Sequence, residues 1–207
     1  MLVERLGGPS VKPYQPEGLW QEVAMLQSNT REYARGADDA LWRRSLYTYW
    51  KRACPPPSML TLDAPTREFC TIRRAATNTP LQALVLWNDE QFVEAARALA
   101  ARVLATRSLA EGAADDAPTN ATAGDGARIG ELWRRCTGRR ADDADRARSE
   151  RALVAFRERY ANAPDEAKLL VDVGESMAPA ELDARELAAW TMLASAILNL
   201  DAAITRN

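Results

Sequence analysis

The sequence predicts a mainly α-helical fold, an irregular multi-helix domain with an extended N-terminal arm and a long ordered loop between helices. Apolar residues recur at helical spacing in several segments, and residues that cap helices precede many of them. No alternating pattern of useful length predicts a strand, apart from brief candidates at 59–62 and 70–72. These observations favour a helical core.

The first fifty residues are expected to form an arm followed by two helices. Residues 7–18, GGPSVKPYQPEG, contain three prolines and three glycines, which predicts an extended arm. A short helix is expected in 19–27, and a longer one from Asp38 or Asp39 through Arg52. On that longer helix, two stripes are expected: a core face of Trp42, Leu46, Tyr49, Trp50 and Ala53, and a separate stripe of Arg43, Tyr47 and Lys51.

Residues 58–78 are expected to form the long loop, which we take to be buried. Three prolines at 55–57 end the preceding helix because they lack an N–H donor. The next helix begins with Thr79 as its cap, Pro80 in its first position and Gln82 closing a capping box. Its sequence, LQALVLW, is apolar nearly all round and predicts a buried helix.

The second half of the chain predicts further helices around an insertion. Residues 106–127 are small, polar and glycine-bearing, which is typical of a mobile insertion. An Asp183 capping box precedes the best-defined core helix of this half. The predicted organisation is an arm and short helix at 1–30, a helical core at 31–105, a variable insertion at 106–127, and C-terminal helices packing on the same core at 128–207.

Composition excludes several kinds of chemistry. The 207 residues include no histidine, which removes Ser-His-Asp and Cys-His catalysis and histidine-ligated zinc or haem. A formal net charge of −2 favours neither a nucleic-acid backbone nor an anionic membrane, and no apolar run is long enough to span a bilayer. The three cysteines are interpreted as small apolar residues, with a disulfide between two of them as the alternative. No metal site is expected.

The long loop carries the candidate catalytic residues, Asp63 and Glu68. Either carboxyl group would act as an acid or base, while neighbouring side chains hold an anionic or polyhydroxylated ligand. The alternative is a structural arginine–carboxylate network that satisfies the backbone of a buried loop. The candidate ligand-binding residues of this loop are Arg67, Arg73, Arg74 and Asn78.

A second candidate surface is a local basic patch before the loop, formed by Arg43, Arg44, Lys51 and Arg52. Residues 31–74 carry nine basic and five acidic side chains, a balance that suits a sulfated or carboxylated glycan, with a solvated helix face as the alternative. Arg43 and Tyr47 are its candidate ligand-binding residues, since Tyr47 is expected to be exposed. A sugar-stacking platform is considered for five aromatic residues: Tyr47, Tyr49 and Trp50, with Trp20 and Tyr14 elsewhere. Core packing is favoured for Trp42, Tyr49 and Trp50.

Several motifs resemble one bacterial protein family. RRSLYTYWKR, PPPSMLTLDAPTREFCTIRR and TNTPLQALVLWND closely resemble the motifs of a family of unknown function found mainly in planctomycetes and related bacteria. GGPSVKPYQPEGLW and ELAAWTMLASAILNLDAAITRN resemble its entry segment and its C-terminal end. The family forms the C-terminal domain of large exported proteins that often carry a cytochrome-c-like domain upstream.

The resemblance implies a periplasmic or extracellular location for the parent protein and an association with polysaccharide metabolism. This chain has no CxxCH motif, so haem c would belong only to an upstream domain. Neither a signal peptide nor a cofactor is expected in the chain itself. The expected partners are the upstream domains and a glycan; nucleic acid and a membrane span are not expected. The function that follows is a non-catalytic scaffold or binding domain. The alternatives are half of an oxidoreductase or carbohydrate-active site completed by upstream residues, and a partner-interaction module whose arm clasps a neighbouring domain.

Overall fold

The computed structural model describes residues 2–105 and 121–205, and within these ranges it is mainly helical, as predicted. No named strand occurs in the described residues, which pair as β-structure only at two isolated parallel bridges. Two short 3-10 helices occupy Asp38–Trp42 and Ser45–Tyr47. The α-helices are α1 Leu19–Val23, α2 Pro57–Thr61, α3 Pro80–Asn88, α4 Glu90–Ala105, α5 Ala121–Thr137, α6 Asp143–Asn162, α7 Pro164–Val171, α8 Ala184–Leu198 and α9 Asp201–Ile204.

The chain divides into two compact units, Met1–Val85 and Leu86–Asn207. The boundary falls within α3 and inside the segment 31–105 that the sequence analysis takes as one core. Most of the predicted insertion lies outside the described residues, whereas its last residues, from Ala121, form the beginning of α5.

The first unit is organised by the N-terminal arm. The amide of Val3 donates to the carbonyl of Trp42 at 2.9 Å, and the amide of Val11 donates to the carbonyl of Tyr47 at 2.8 Å. The amide of Tyr49 in turn donates to the carbonyl of Val11 at 2.8 Å. The arm therefore pairs with its own chain along residues 42–49.

The prediction of one long helix ending at Arg52 is wrong. The carbonyls of Trp42 and Tyr47 bond to the arm, so they are not available to amides four residues further along the chain. The backbone is extended at Arg43 and Thr48, between and after the two 3-10 helices. The predicted core face is wrong for the same reason. Leu46, which belongs to that predicted face, is 77% exposed.

The predicted capping box at the start of α3 is confirmed. The amide of Thr79 donates to Oε1 of Gln82 at 2.9 Å, and the amide of Gln82 donates to Oγ1 of Thr79 at 3.3 Å. The expected burial of this helix is wrong, because Leu81 and Leu84 are more than half exposed. The buried residue of α3 is Gln82.

Thr79→Ala is expected to lower the free energy of unfolding by about 1 kcal/mol, because it removes the acceptor for the Gln82 amide. Chemical denaturation followed by circular dichroism measures the change. Thr79→Ser, which keeps the hydroxyl group, is the matched control and should retain most of the stability. Equal losses in both variants would contradict a capping role.

The second unit is a bundle in which α8 packs against α4, α5, α6 and α7. Trp190, Leu187 and Leu193 of α8 are almost completely buried, as the sequence predicts for this helix. Asp183 caps it by accepting from the amides of Arg185 and Glu186, and Asp142 caps α6 by accepting from the amide of Asp145. No helix within the described residues is both long enough and apolar enough to cross a membrane.

Candidate functional site

Residues 63–77, which follow α2, form a loop whose two ends are joined by hydrogen bonds at its base, and we name it the closed loop. The Asp63 carboxylate accepts hydrogen bonds from the Thr77 amide at 2.8 Å and from the Thr77 hydroxyl at 2.9 Å. Nε2 of Gln82 donates to Asp63 at 3.1 Å and to the carbonyl of Thr61 at 2.9 Å at one end of the loop, and to the Thr77 hydroxyl at 2.9 Å at the other. The buried glutamine of α3 therefore joins both ends of the loop.

Two further contacts hold the middle of the closed loop to the segment 50–52. Arg52 pairs with the Glu68 carboxylate at 3.0 Å through Nη2, and its Nε lies 3.4 Å from the second carboxylate oxygen. The guanidinium carbon of Arg67 lies 4.5 Å from the centre of the Trp50 ring. Both contacts are on the surface, so they orient the loop more than they stabilise the fold.

The expectation that this loop is buried is wrong. Every residue from Pro65 to Leu81 is exposed, including two large apolar side chains: Phe69 is 73% exposed and Ile72 is completely exposed. The bonds occur at the base and along one side, which leaves the rest of the backbone in water. Loops whose ends meet in this way are frequently functional.

The structure separates the candidate residues of the loop into two groups. Asp63 and Glu68, the candidate catalytic carboxylates, have bonding partners on the same unit. Arg73, Arg74 and Asn78 are exposed on the loop and just beyond it. Asp63 and the arginines therefore do not form the sealed network that a buried loop would require.

The hydrogen bonds at the base lower the pKa of Asp63. The largest cause is the hydrogen bond from the Thr77 amide, followed by that from the Thr77 hydroxyl, with smaller effects from Gln82 and the charge of Arg74. Because these groups stabilise the ionised carboxylate, Asp63 is charged at neutral pH and is a weak base. The carboxylate is suited to closing the loop.

Loop closure is expected to weaken at acidic pH. Folding depresses the pKa of Asp63. The contribution of its carboxylate to loop closure is therefore complete above the ordinary pKa of 3.8 and is lost as the pH falls through the lower pKa of the folded state. The chemical shift of the Thr77 amide, followed by NMR, should titrate below 3.8. In Asp63→Asn this titration should be absent; a midpoint at or above 3.8 in the wild type would contradict the assignment.

Arg43 lies under the arm, and the prediction that it belongs to an exposed stripe is wrong. It is 5% exposed, and its Nη2 donates to the carbonyls of Arg5 at 3.0 Å and Gly7 at 2.7 Å. Its guanidinium carbon lies 4.0 Å from the centre of the Tyr47 ring. Tyr47 is half-buried, and its hydroxyl accepts from the Gly7 amide at 2.8 Å.

Three aromatic residues of the first unit contact lysines of the same unit. Trp20 is 2% exposed and contacts the rings of Tyr33 and Tyr49. The ammonium of Lys12 lies within 6 Å of all three ring centres, and that of Lys51 lies 4.6 Å from the Trp20 ring. Burial raises the pKa of Tyr33 to about 12. Trp20 and Tyr14, which is also buried, are therefore not available as a surface platform for sugars.

The second unit contains a buried ion pair that the sequence analysis does not identify. Glu94 and Arg97 of α4 are 0% and 2% exposed, with Nη2 of the arginine 3.6 Å from a glutamate oxygen. Their position within the alanine-rich stripe of α4, beside Ala96 and Ala100, is the signal that would have indicated it. Buried charges in such a stripe require partners.

The partners of this pair come from the last residue of α7 and from the loop between α7 and α8. Glu94 accepts from the amides of Glu175 at 3.2 Å and Ser176 at 2.8 Å and also from the Ser176 hydroxyl. Arg97 donates to the carbonyl of Val171 at 2.5 Å and to the Ser176 hydroxyl at 2.7 Å. The pair therefore fixes the α7–α8 loop on α4.

The cysteines are free thiols. Burial raises the pKa of Cys136 to about 12, so this thiol is protonated and unreactive at neutral pH. Within the part of the chain that the structure describes, no three cysteine, aspartate or glutamate side chains are grouped so as to hold a metal ion.

Fold and site together define a mainly α-helical protein that presents a closed, exposed loop from a small irregular unit. A family model described as PSD1, protein of unknown function (DUF1553), matches residues 1–153. The chain therefore belongs to this family, and the match covers the whole closed loop. No curated protein and no solved structure matches it.

Proposed function

We propose that the chain is a non-catalytic binding and scaffolding domain and that the closed loop is its contact surface. The observation that supports this is the exposure of Phe69 and Ile72 on a loop whose base is fixed. The exposed, charged side chains of Arg73 and Arg74 come directly after Ile72 in the sequence. Apolar side chains with a charged rim are typical of protein contact surfaces.

The contacts of the carboxylates favour binding over catalysis. A general acid or base must reach the substrate with a pKa close to the working pH. Asp63 instead accepts hydrogen bonds from Thr77 and Gln82, and Glu68 is paired with Arg52. The alternative in which the arm clasps a neighbouring domain is less favoured, because the backbone of the arm pairs with its own chain.

The motifs support a more specific proposal about the parent protein. In this proposal the chain is the C-terminal domain of an exported, cytochrome-c-associated bacterial protein of the planctomycete type, located in the periplasm or outside the cell and linked to polysaccharide metabolism. Haem c is then carried by an upstream domain, and the closed loop contacts that upstream part. Membership of DUF1553 is consistent with this context.

Binding between this chain and the upstream domains encoded with it, produced as separate polypeptides, tests the proposal. Phe69→Ser with Ile72→Ser is expected to weaken the affinity at least tenfold, measured by isothermal titration calorimetry. Leu46→Ser, which changes another exposed apolar side chain of the same unit, is the matched control and should bind normally. Absence of binding by the wild type, or equal weakening in the control, would overturn the proposal.

A further inference from the structure

Arg43 is a buried cation that has no carboxylate partner among residues 2–105 and 121–205. Its Nε and Nη1 are inaccessible to solvent and make no hydrogen bond with the described residues. Two backbone carbonyls and the face of Tyr47 are the groups that face its charge. A buried guanidinium ordinarily has an acidic partner, because neutral acceptors compensate only part of the cost of removing its charge from water.

The cover over Arg43 is a thin stretch of the arm. Residues 4–10 are all exposed, and two of them are glycines with positive φ, Gly7 at 74° and Gly8 at 95°. A Cβ placed on Gly8 would lie 3.6 Å from Nη1 of Arg43, so a glycine backbone directly faces the buried charge. This part of the arm can move without exposing a hydrophobic core.

The arm is fixed separately further along the chain. Val11 exchanges two backbone hydrogen bonds with Tyr47 and Tyr49, and these do not involve Arg43. The segment before Pro9 is held at Arg43 through the carbonyls of Arg5 and Gly7. Release of those two carbonyls would loosen the stretch between Val3 and Val11 and leave the backbone hydrogen bonds of both valines intact.

We propose that Arg43 binds an oxyanion of the carboxylate or sulfate class, which displaces the carbonyls of Arg5 and Gly7 from Nη2. Once Nη2 is released, it forms with an adjacent nitrogen the planar two-donor fork that matches two oxygens of such a group. Tyr47 holds the guanidinium plane from the opposite side. The site is separate from the closed loop and does not depend on its role.

Titration of the whole chain with sodium sulfate, sodium acetate and sodium glucuronate, at constant ionic strength, tests the proposal. Glucose at the same concentration is the neutral control. Amide exchange followed by NMR should show saturable acceleration at Gly7, whose hydrogen bond to Tyr47 is in the moving segment, and no change at Tyr49, which bonds to Val11. Tighter binding of glucuronate than of acetate would identify an acidic sugar as the source of the group, and equal binding would identify a free anion.

Two variants assign the effect to the guanidinium group. Arg43→Lys keeps the charge but loses the fork, and should bind at least tenfold more weakly; Arg44→Gln should bind as the wild type does. If Arg43→Lys does not fold, the contrast between Gly7 and Tyr49 in the wild type decides the question. Absence of saturable binding, equal weakening in Arg44→Gln, or acceleration at both amides would overturn the proposal.

Discussion

Replacing Gly174 with alanine is expected to lower the free energy of unfolding of the second unit by about 2–5 kcal/mol. The φ of Gly174 is 95°, a conformation that costs an L-residue about 1–2 kcal/mol. An added Cβ would also overlap the carboxyl group of Glu94, coming within 2.7 Å of its Cγ. Glu94 is held by the pair with Arg97 and by two amides, and overpacking such a site adds about 1–3 kcal/mol.

Gly138 provides the matched control for this change. Its φ is 75°, and a Cβ there meets no atom within 4 Å. Gly138→Ala therefore isolates the backbone cost, expected at about 1–2 kcal/mol. Denaturant unfolding followed by circular dichroism compares the two variants. Equal losses would mean that the overlap with Glu94 is relieved without cost.

The helices of the second unit could be predicted because local and tertiary signals agree there. Asp183 and Asp142 cap helices whose apolar residues recur at helical spacing, and the bundle buries those faces. The start of α3 was predicted for the same reason, since both partners of its capping box are local. Such signals need no knowledge of what another part of the chain does.

The first unit could not be predicted in this way because its structure depends on pairing over long distances in the sequence. The carbonyls of Trp42 and Tyr47 bond to Val3 and Val11, which overrides a helical spacing of apolar residues. The same pairing buries Arg43, although its sequence position resembles that of a solvated stripe. No local sequence pattern predicts where the arm lies.

The segment of the candidate residues could be singled out from the sequence, but its exposure could not. Closure of the loop by Asp63, Thr77 and Gln82 requires a buried glutamine on a helix that reads as apolar. Once Gln82 faces the loop, its neighbours Leu81 and Leu84 are turned toward solvent. The arginines and carboxylates of this segment suit both a buried network and an exposed contact surface.

Glu94→Ala is expected to lower the free energy of unfolding of the second unit by about 3–5 kcal/mol. The change leaves Arg97 buried without its carboxylate and removes the acceptor of the Glu175 and Ser176 amides. Denaturant unfolding measures the loss. Glu166→Ala is the matched control, because it removes a pair with Arg159 that is more than half exposed, and it should change the stability little.

Removing both charges tests whether the pair makes a net contribution to stability or only offsets the cost of burying its two charges. Glu94→Leu combined with Arg97→Met replaces the pair by apolar side chains of similar length, and buried pairs replaced in this way often lose little stability. The double variant is therefore expected to be more stable than either single variant, whereas independent contacts would give additive losses. Hydrogen exchange at the Ser176 amide separates stability from loop positioning, because both members of the pair bond to Ser176. We expect the double variant to remain folded with a released α7–α8 loop; continued protection of that amide would show that the pair is not what holds the loop.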